Sequence, residues 1–120
     1  MSKRPSRSSN LIREEHGSVS ESFKAAIVQR VFRNFLDVML LRIVHAEPMW
    51  GYKIIKQVKE QYGVRLRHGA LYPTLNTLER KGLLRSTKET KAGRIRKVYK
   101  ITLKGTKLVE AYNEVLKEQM

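Results

Sequence analysis

Apolar residues recur in adjacent pairs about every four positions between Ile27 and Val44, which is the spacing of one face of a helix. Ser18-Val-Ser-Glu21 before this stripe matches a capping box, and Glu47-Pro48 after it ends a helix. The pattern predicts an N-terminal helix from Ser18, either as one long helix or as two helices separated near Arg33-Asn34.

The stripe is wider than a small core requires. We therefore interpret residues 18–34 as a candidate subunit-interface helix, with simple coverage of the core as the alternative. Residues 1–17 are rich in Ser, Arg and Lys and contain one apolar pair, which predicts a mobile basic tail.

The next helix begins at Gly51, after a tight connection through Met49-Trp50, and ends at Gly63. A short link, Val64 to His68, follows and is a candidate for an extended pairing around its first three residues. The link leads into a further helix over Gly69–Lys81.

In that helix, Leu71, Leu75 and Leu78 fall on one side and predict a buried face. Pro73 is tolerated in a first helical turn, and Gly82 ends the helix. The opposite face is polar or aromatic and uncharged.

After Gly82 the apolar period changes from helical to alternating, which predicts two strands. They are joined by a hairpin loop over Glu89–Arg94, in which Gly93 is available for a positive φ. A final helix over Leu103–Glu118 has more apolar width than one domain buries, which suggests pairing with a second copy.

The predicted fold class is mainly α with a small β-hairpin. A winged helix-turn-helix domain spans residues 35–104, and residues 105–120 form a C-terminal dimerisation helix.

Charge adds information about the partner. The chain of 120 residues has a formal net charge of +14 and a pI near 10.4, which favours binding to a polyanion. Residues 64–104 hold twelve basic and two acidic side chains, so ten of the fourteen net charges lie in a third of the chain. An excess confined to one segment indicates a binding face, and duplex nucleic acid is the first candidate. A membrane partner would need a basic amphipathic helix, whereas this excess lies mostly on the hairpin.

Several functional classes lack support in the sequence. The chain has no cysteine, which excludes disulfides and thiolate metal sites and fits an intracellular, cytoplasmic compartment. His16, His45 and His68 lie in separate segments without ligand spacing, so we expect no metal. No Ser–His–Asp pattern, paired carboxylates or phosphate-cradling glycine loop occurs, so we expect neither enzymatic activity nor a cofactor.

A helix pair followed by a basic hairpin is the winged helix-turn-helix arrangement, with the second helix in the major groove. The recognition-helix candidates for DNA contact are Gly69, Tyr72, Pro73, Thr74, Asn76, Thr77 and Lys81. Asn bonds adenine in a bidentate manner, a Thr methyl contacts thymine, and Tyr suits either a base or a phosphate. The candidates for phosphate contact from the flanks and the wing are Tyr52, Lys53, Arg65, Arg67, His68, Lys91, Arg94, Arg96 and Lys97.

Three separated motifs carry a family resemblance: Pro48-Met-Trp-Gly-Tyr52, then His68-Gly-Ala-Leu-Tyr-Pro-Thr-Leu75 continuing to Leu84, then Arg96-Lys-Val-Tyr-Lys-Ile-Thr-Leu-Lys-Gly105. In this order they resemble the PadR family of winged-helix transcriptional regulators, over about Phe35 to Gly105. The resemblance implies a homodimeric, repressor-type DNA-binding protein.

Family members commonly dimerise through C-terminal helices. This chain has only a short C-terminal helix and an added N-terminal one, so either helix could dominate the interface. Trp50 is open to two interpretations, a core or hinge residue or part of a pocket for a small-molecule effector.

The sequence therefore predicts a sequence-specific regulator that binds a pseudo-palindromic operator on double-stranded DNA as a homodimer associated with the nucleoid. The alternatives are a non-specific architectural DNA-binding protein and a winged-helix module for protein or RNA contact.

Overall fold

The computed structural model describes the backbone of residues 7–119 and the side chains of residues 18–119. The helices and strands, in chain order, are α1 (Arg7–Asn34), α2 (Leu36–Ala46), β1 (Met49–Trp50), α3 (Gly51–Tyr62), α4 (His68–Arg80), β2 (Leu84–Lys91), β3 (Arg94–Ile101) and α5 (Leu103–Gln119). The strands form one antiparallel sheet in the order β1-β3-β2. The predicted fold class, mainly helical with a small β-hairpin, is confirmed.

The core is assembled around α2, whose Leu40 and Leu41 are fully buried. The apolar faces of α3 and α4 pack onto α2, and Tyr99 from β3 closes the cluster. The leucines predicted to form the buried face of α4 are 0–2% exposed. The helical periodicity therefore identified the inward faces of α2 and α4 correctly. On α3 it predicts Ile55, Val58 and Tyr62 as the buried side, whereas Ile54 and Val58 are buried and the other two are half-buried.

The predicted start of the first helix at Ser18 is wrong, because α1 already begins at Arg7. Residues 7–17 contain no proline and several good helix formers, so the helix continues through the capping-box sequence. Residues 1–6 of the predicted mobile tail lie outside the described residues. The two-helix alternative is the one observed: Phe35 leaves helical geometry, with φ −124° and ψ 33°, between α1 and α2.

The third strand was not predicted. Met49-Trp50, interpreted from the sequence as a connection, is β1, and its two residues pair with Tyr99 and Val98 of β3. The expected pairing around Val64 to Leu66 is absent, since that segment contains no strand. Val64 and Leu66 are instead buried in the core, which accounts for their alternation with exposed residues.

Helix α4 begins and ends one residue earlier than predicted. Its end is a Schellman arrangement: Gly82 has a φ of 75°, the Leu83 N–H donates to the Leu78 carbonyl, and the Gly82 N–H donates to the Glu79 carbonyl. Pro73 is the sixth residue of the helix, beyond the first turn where it was expected. Its missing N–H leaves the Gly69 carbonyl without an intrahelical partner, on an exposed part of the helix.

The hairpin turn is tighter than predicted. The strands extend to Lys91 and from Arg94, so only Ala92 and Gly93 form the turn, with φ values of 53° and 76°. Two successive positive φ angles are the geometry of a type I′ turn, whose twist matches the flanking strands. The predicted positive φ at Gly93 is confirmed, and the regular register places each cationic residue on a defined face.

Thr102 joins the sheet to α5. Its hydroxyl donates to the Gly82 carbonyl at 2.7 Å and accepts from the Gly105 N–H at 3.1 Å, so it caps the helix and fixes it to the end of α4. Within the described part of the chain, none of the helices is long and apolar enough to cross a membrane.

Candidate nucleic-acid interface

The outward face of α4 is accessible along its first two turns. Gly69, Tyr72, Pro73 and Asn76 are exposed, opposite the buried leucines. These four residues carry no charge, although Arg80 and Glu79 line the same depression further along the helix. Asn76 makes no side-chain hydrogen bond to another described residue. Its amide therefore keeps both donors and its acceptor for an external partner.

The two threonines predicted to contact DNA are only half-exposed, and their hydroxyls are engaged within the helix. Thr74 Oγ1 donates to the Ala70 carbonyl at 3.0 Å, and Thr77 Oγ1 donates to the Pro73 carbonyl at 3.0 Å. Thr77 also accepts from Arg80 Nη2 at 3.0 Å. With its hydroxyl occupied, Thr77 offers mainly its methyl group, which fits the predicted thymine contact.

Tyr72 has a packing role that the sequence did not indicate. Its ring stacks on His68 with centroids 5.6 Å apart, and its hydroxyl lies against the Cα of Gly51. A methyl group at Gly51 would overlap that hydroxyl and lie 2.8 Å from Tyr72 Cζ. The glycine thus lets α4 approach the start of α3, and Tyr72 connects the two helices while its ring edge stays exposed.

Cationic residues flank α4 on its N-terminal side. Arg65 and Arg67 are exposed, alternating with the buried Val64 and Leu66, so the link presents both charges outward. Lys81, at the C-terminal end, is exposed as well. The exposed α4 face therefore lies between two cationic ends.

The start of α3 contributes Tyr52, which is exposed, and Lys53, whose ammonium pairs with Glu47 at 2.7 Å. Trp50 precedes them and is half-buried. Its indole contacts Tyr52, with ring centroids 5.4 Å apart, and Arg96, whose guanidinium carbon lies 3.9 Å from the ring centroid. Trp50 also lines an open depression of about 240 Å³ together with Lys53, Lys91 and Arg96.

The wing, residues 84–101, separates the predicted cations onto two faces. Residues directly opposite each other in an antiparallel pair share a face, so Lys91, Arg94 and Arg96 lie on the same side as Trp50. We call this the outer face. Lys97 lies on the other, inner face, where the register places it opposite Lys88.

Lys88 was missed as a candidate site residue. Two ammonium groups directly opposite each other on one face repel, and among the described side chains only that of Lys97 has an acidic partner, Glu79 at 3.5 Å. An external anion would relieve this repulsion. The alternation of apolar and polar residues along each strand could not reveal this lysine pair, because the pair depends on which residue of β2 lies opposite which residue of β3.

Glu79 fastens the wing to α4. Its carboxylate accepts a hydrogen bond from the Ser86 hydroxyl and pairs with Lys97. These two contacts hold the pKa of Glu79 below its ordinary value, the Ser86 bond contributing most and outweighing the opposing effect of burial. The carboxylate therefore stays charged near neutral pH, and the inner face of the wing is held towards α4. On β3, burial raises the pKa of Tyr99.

An exposed uncharged helix face, two cationic flanks and a basic hairpin fastened beside that face define a winged helix-turn-helix protein. The model of the transcriptional regulator PadR-like family matches residues 40–111, more than half of the chain. The chain belongs to this family, whose members are transcriptional regulators rather than enzymes.

Individual relatives agree with this assignment. The chain is 38% identical over 64 residues to the transcriptional regulator Rv3488 of Mycobacterium tuberculosis, a match that spans 53% of this chain and 60% of that relative. A PadR family regulator from Clostridium difficile R20291 has a TM-score of 0.65 at 28% identity, over 69% of this chain and 88% of that structure. One from Eggerthella lenta DSM 2243 has a TM-score of 0.65 at 27% identity, over 85% and 92% of the two chains.

Proposed function

We propose that this regulator binds duplex DNA in a sequence-specific manner, as a homodimer on a pseudo-palindromic operator in the cytoplasm, and that it represses transcription there. The observation that carries the proposal is the exposed, uncharged face of α4 with the free amide of Asn76, framed by cations. A binding surface that used charge alone would have no need of an uncharged centre. A polar centre with cationic edges instead separates base reading from phosphate binding.

In this proposal, Asn76 and Thr77 contact base edges, with Pro73 and Gly69 allowing close approach of the helix. Tyr72 combines a phosphate contact with its packing against Gly51. The arginines and lysines of the link and the wing neutralise phosphates, and Lys88 joins them on the inner face. Two copies of α4 about 34 Å apart would occupy successive major grooves on one side of the duplex.

Selection of bound duplexes from a random pool tests base reading. We expect the wild type to recover an inverted repeat, and Asn76→Ala to recover a pool with weaker preference at one position in each half-site, because that substitution removes a bidentate contact of about 1–3 kcal/mol. Gln57→Ala, on α3, is a matched control that leaves the preference unchanged. Recovery of random sequence by the wild type would favour an architectural DNA-binding protein, and an unchanged preference in Asn76→Ala would refute its role.

Dimerisation is proposed through α1 and α5. Val19, Phe23, Ile27 and Val31 follow one another at intervals of four residues along α1 and are 41–65% exposed. Phe35, at the end of this stripe, contacts Tyr112 of α5 with ring centroids 5.7 Å apart, so the two helices present adjacent apolar surface. A continuous exposed apolar stripe of this length is characteristic of an interface.

We expect Ile27→Asp to convert a dimer into a monomer of 14.0 kDa in sedimentation equilibrium. The side chain is 55% exposed in one copy, so the charge disturbs an interface rather than the fold. Gln29→Asp adds the same charge on the opposite side of α1 and should leave the dimer intact. A monomeric wild type, or a dimeric Ile27→Asp variant, would contradict an interface on this stripe.

A further inference from the structure

Trp50, the only tryptophan in the chain, lies where the wing meets the start of α3 in the proposed interface. Strand β1 has two residues, and its pairing with Val98 places the indole on the outer face of the wing, next to the start of α3. The core does not require the side chain there, because Trp50 is only half-buried. Its contacts with Arg96 and Tyr52 therefore call for a reason other than core packing.

Arg96 depends on the indole for its orientation. Its cross-strand neighbour is Glu89, yet no carboxylate among the described side chains lies within ion-pair distance of its guanidinium. The guanidinium carbon lies 3.9 Å from the centre of the indole ring, well inside the range of a cation–π contact. Arg94, two residues away on the same face, is exposed and has neither kind of partner among the described residues.

Stacking leaves the guanidinium able to bind an anion. A guanidinium that lies flat on an aromatic ring uses its face for the contact and keeps its N–H donors pointing outward in its plane. An aromatic ring adds no counter-charge, whereas the ammonium groups of Lys53 and Lys97 each lie beside a carboxylate that offsets their charge. Arg96 is thus a pre-oriented fork for a phosphate oxygen.

The same indole stacks on Tyr52, with the two ring planes inclined at 28°. One side chain therefore connects the wing to the first turn of α3, through contacts with two residues that are 44 positions apart in the sequence. Holding both groups in place before binding lowers the entropy lost when DNA is bound.

We propose that Trp50 is a positioning residue that holds Arg96 of the wing and Tyr52 of α3 in a fixed relation for simultaneous contact with the DNA backbone. This inference rests on the proposed DNA binding, and it assigns the indole a role in recognition rather than in holding a small molecule.

The positioning is testable without DNA, by nitrogen relaxation of the arginine Nε–H groups. In the wild type, we expect the order parameter of Arg96 to exceed that of Arg94. Trp50→Leu keeps an apolar side chain but removes the aromatic face, so it should lower the order parameter of Arg96 to that of Arg94. Trp50→Phe keeps an aromatic face and should preserve the difference between the two order parameters. Equal mobility of the two arginines in the wild type would overturn the proposal.

The effect on recognition is measured by fluorescence anisotropy with a labelled duplex. Trp50→Leu should bind about fivefold more weakly than the wild type, close to Arg96→Ala, while Trp50→Phe retains most of the affinity. The double variant should be little weaker than either single variant, because both changes remove the same contact. The positioning role would be overturned if Trp50→Leu bound with wild-type affinity, or if the loss of affinity in the double variant equalled the product of the two single losses. A wild type that binds no duplex would instead refute the proposed function.

If Trp50→Leu did not fold, Arg96→Gln tests the contact from the other side. Removal of the guanidinium uncovers the indole, so the emission of the single tryptophan should shift to longer wavelength without DNA. Unchanged emission would show that the stack does not form in solution.

Discussion

Raising the salt concentration from 50 to 200 mM is expected to weaken operator binding by at least a thousandfold. A winged-helix dimer that contacts about 6–10 phosphates releases a counterion at each, and affinity then falls steeply with salt. The cations that would make these contacts are exposed on the link and the wing, and ten of the fourteen net charges lie in residues 64–104. The measurement is the dissociation constant at four or more salt concentrations.

Single variants assign this salt dependence to particular residues. Arg94→Ala should weaken all duplexes alike and lower the salt slope by about one for each copy bound. Lys117→Ala removes the same charge from the far end of α5 and should change neither affinity nor slope. A loss of less than tenfold over this salt range would contradict a binding mode dominated by phosphate contacts.

Substitution of Gly105 by alanine should destabilise the fold by about 3 kcal/mol, which corresponds to a fall in melting temperature of roughly 10 °C. A methyl group there would overlap the Leu83 carbonyl oxygen and lie 2.7 Å from Ile101 Cγ1. The carbonyl cannot move without weakening the hydrogen bond that it accepts from the Thr102 N–H at 3.1 Å. The overlap can therefore be relieved only by a shift that destabilises the fold.

Thermal unfolding at a fixed protein concentration measures the effect, since a dimer unfolds at a temperature that depends on concentration. Gly69→Ala is the matched control. Beyond the neighbouring backbone of its own helix, no described atom lies within 4 Å of a methyl group at Gly69, so that substitution in a helix should stabilise by about 0.5–1 kcal/mol. If the Gly105→Ala variant had the same melting temperature as the wild type, α5 would not pack closely on Leu83.

The sequence predicted the helices and the hairpin of the candidate site better than the contacts that hold them together. The buried leucines of α4 and the cationic hairpin follow from periodicity and composition, and both are present in the structure. The early start of α1 was missed because a capping box is only a local signal. The helix propensity of the residues on both sides outweighs that signal. Strand β1 was missed because two residues are too few to show a period.

In the candidate site too, some residues could be predicted from the sequence and others only from the structure. Each exposed residue of the α4 face could be named from the sequence, since it lies opposite an apolar stripe of known period. The partners of the wing could not be named in advance. Glu79 with Ser86 and Lys97, and Trp50 with Arg96, join residues 7 to 46 positions apart. The repulsion between Lys88 and Lys97 likewise appears only when the register is known.

By itself, the sequence determined the helical core, the cationic hairpin, the polar outward face of α4 and the motifs of a PadR-like regulator, because each is a local or periodic property of the chain. Only the tertiary structure decided why glycine stands at positions 51 and 105, which cations are free and which are paired, and what holds the wing beside α4. These are distances between residues far apart in sequence, and they are set by the packing of α3, α4 and the sheet onto α2.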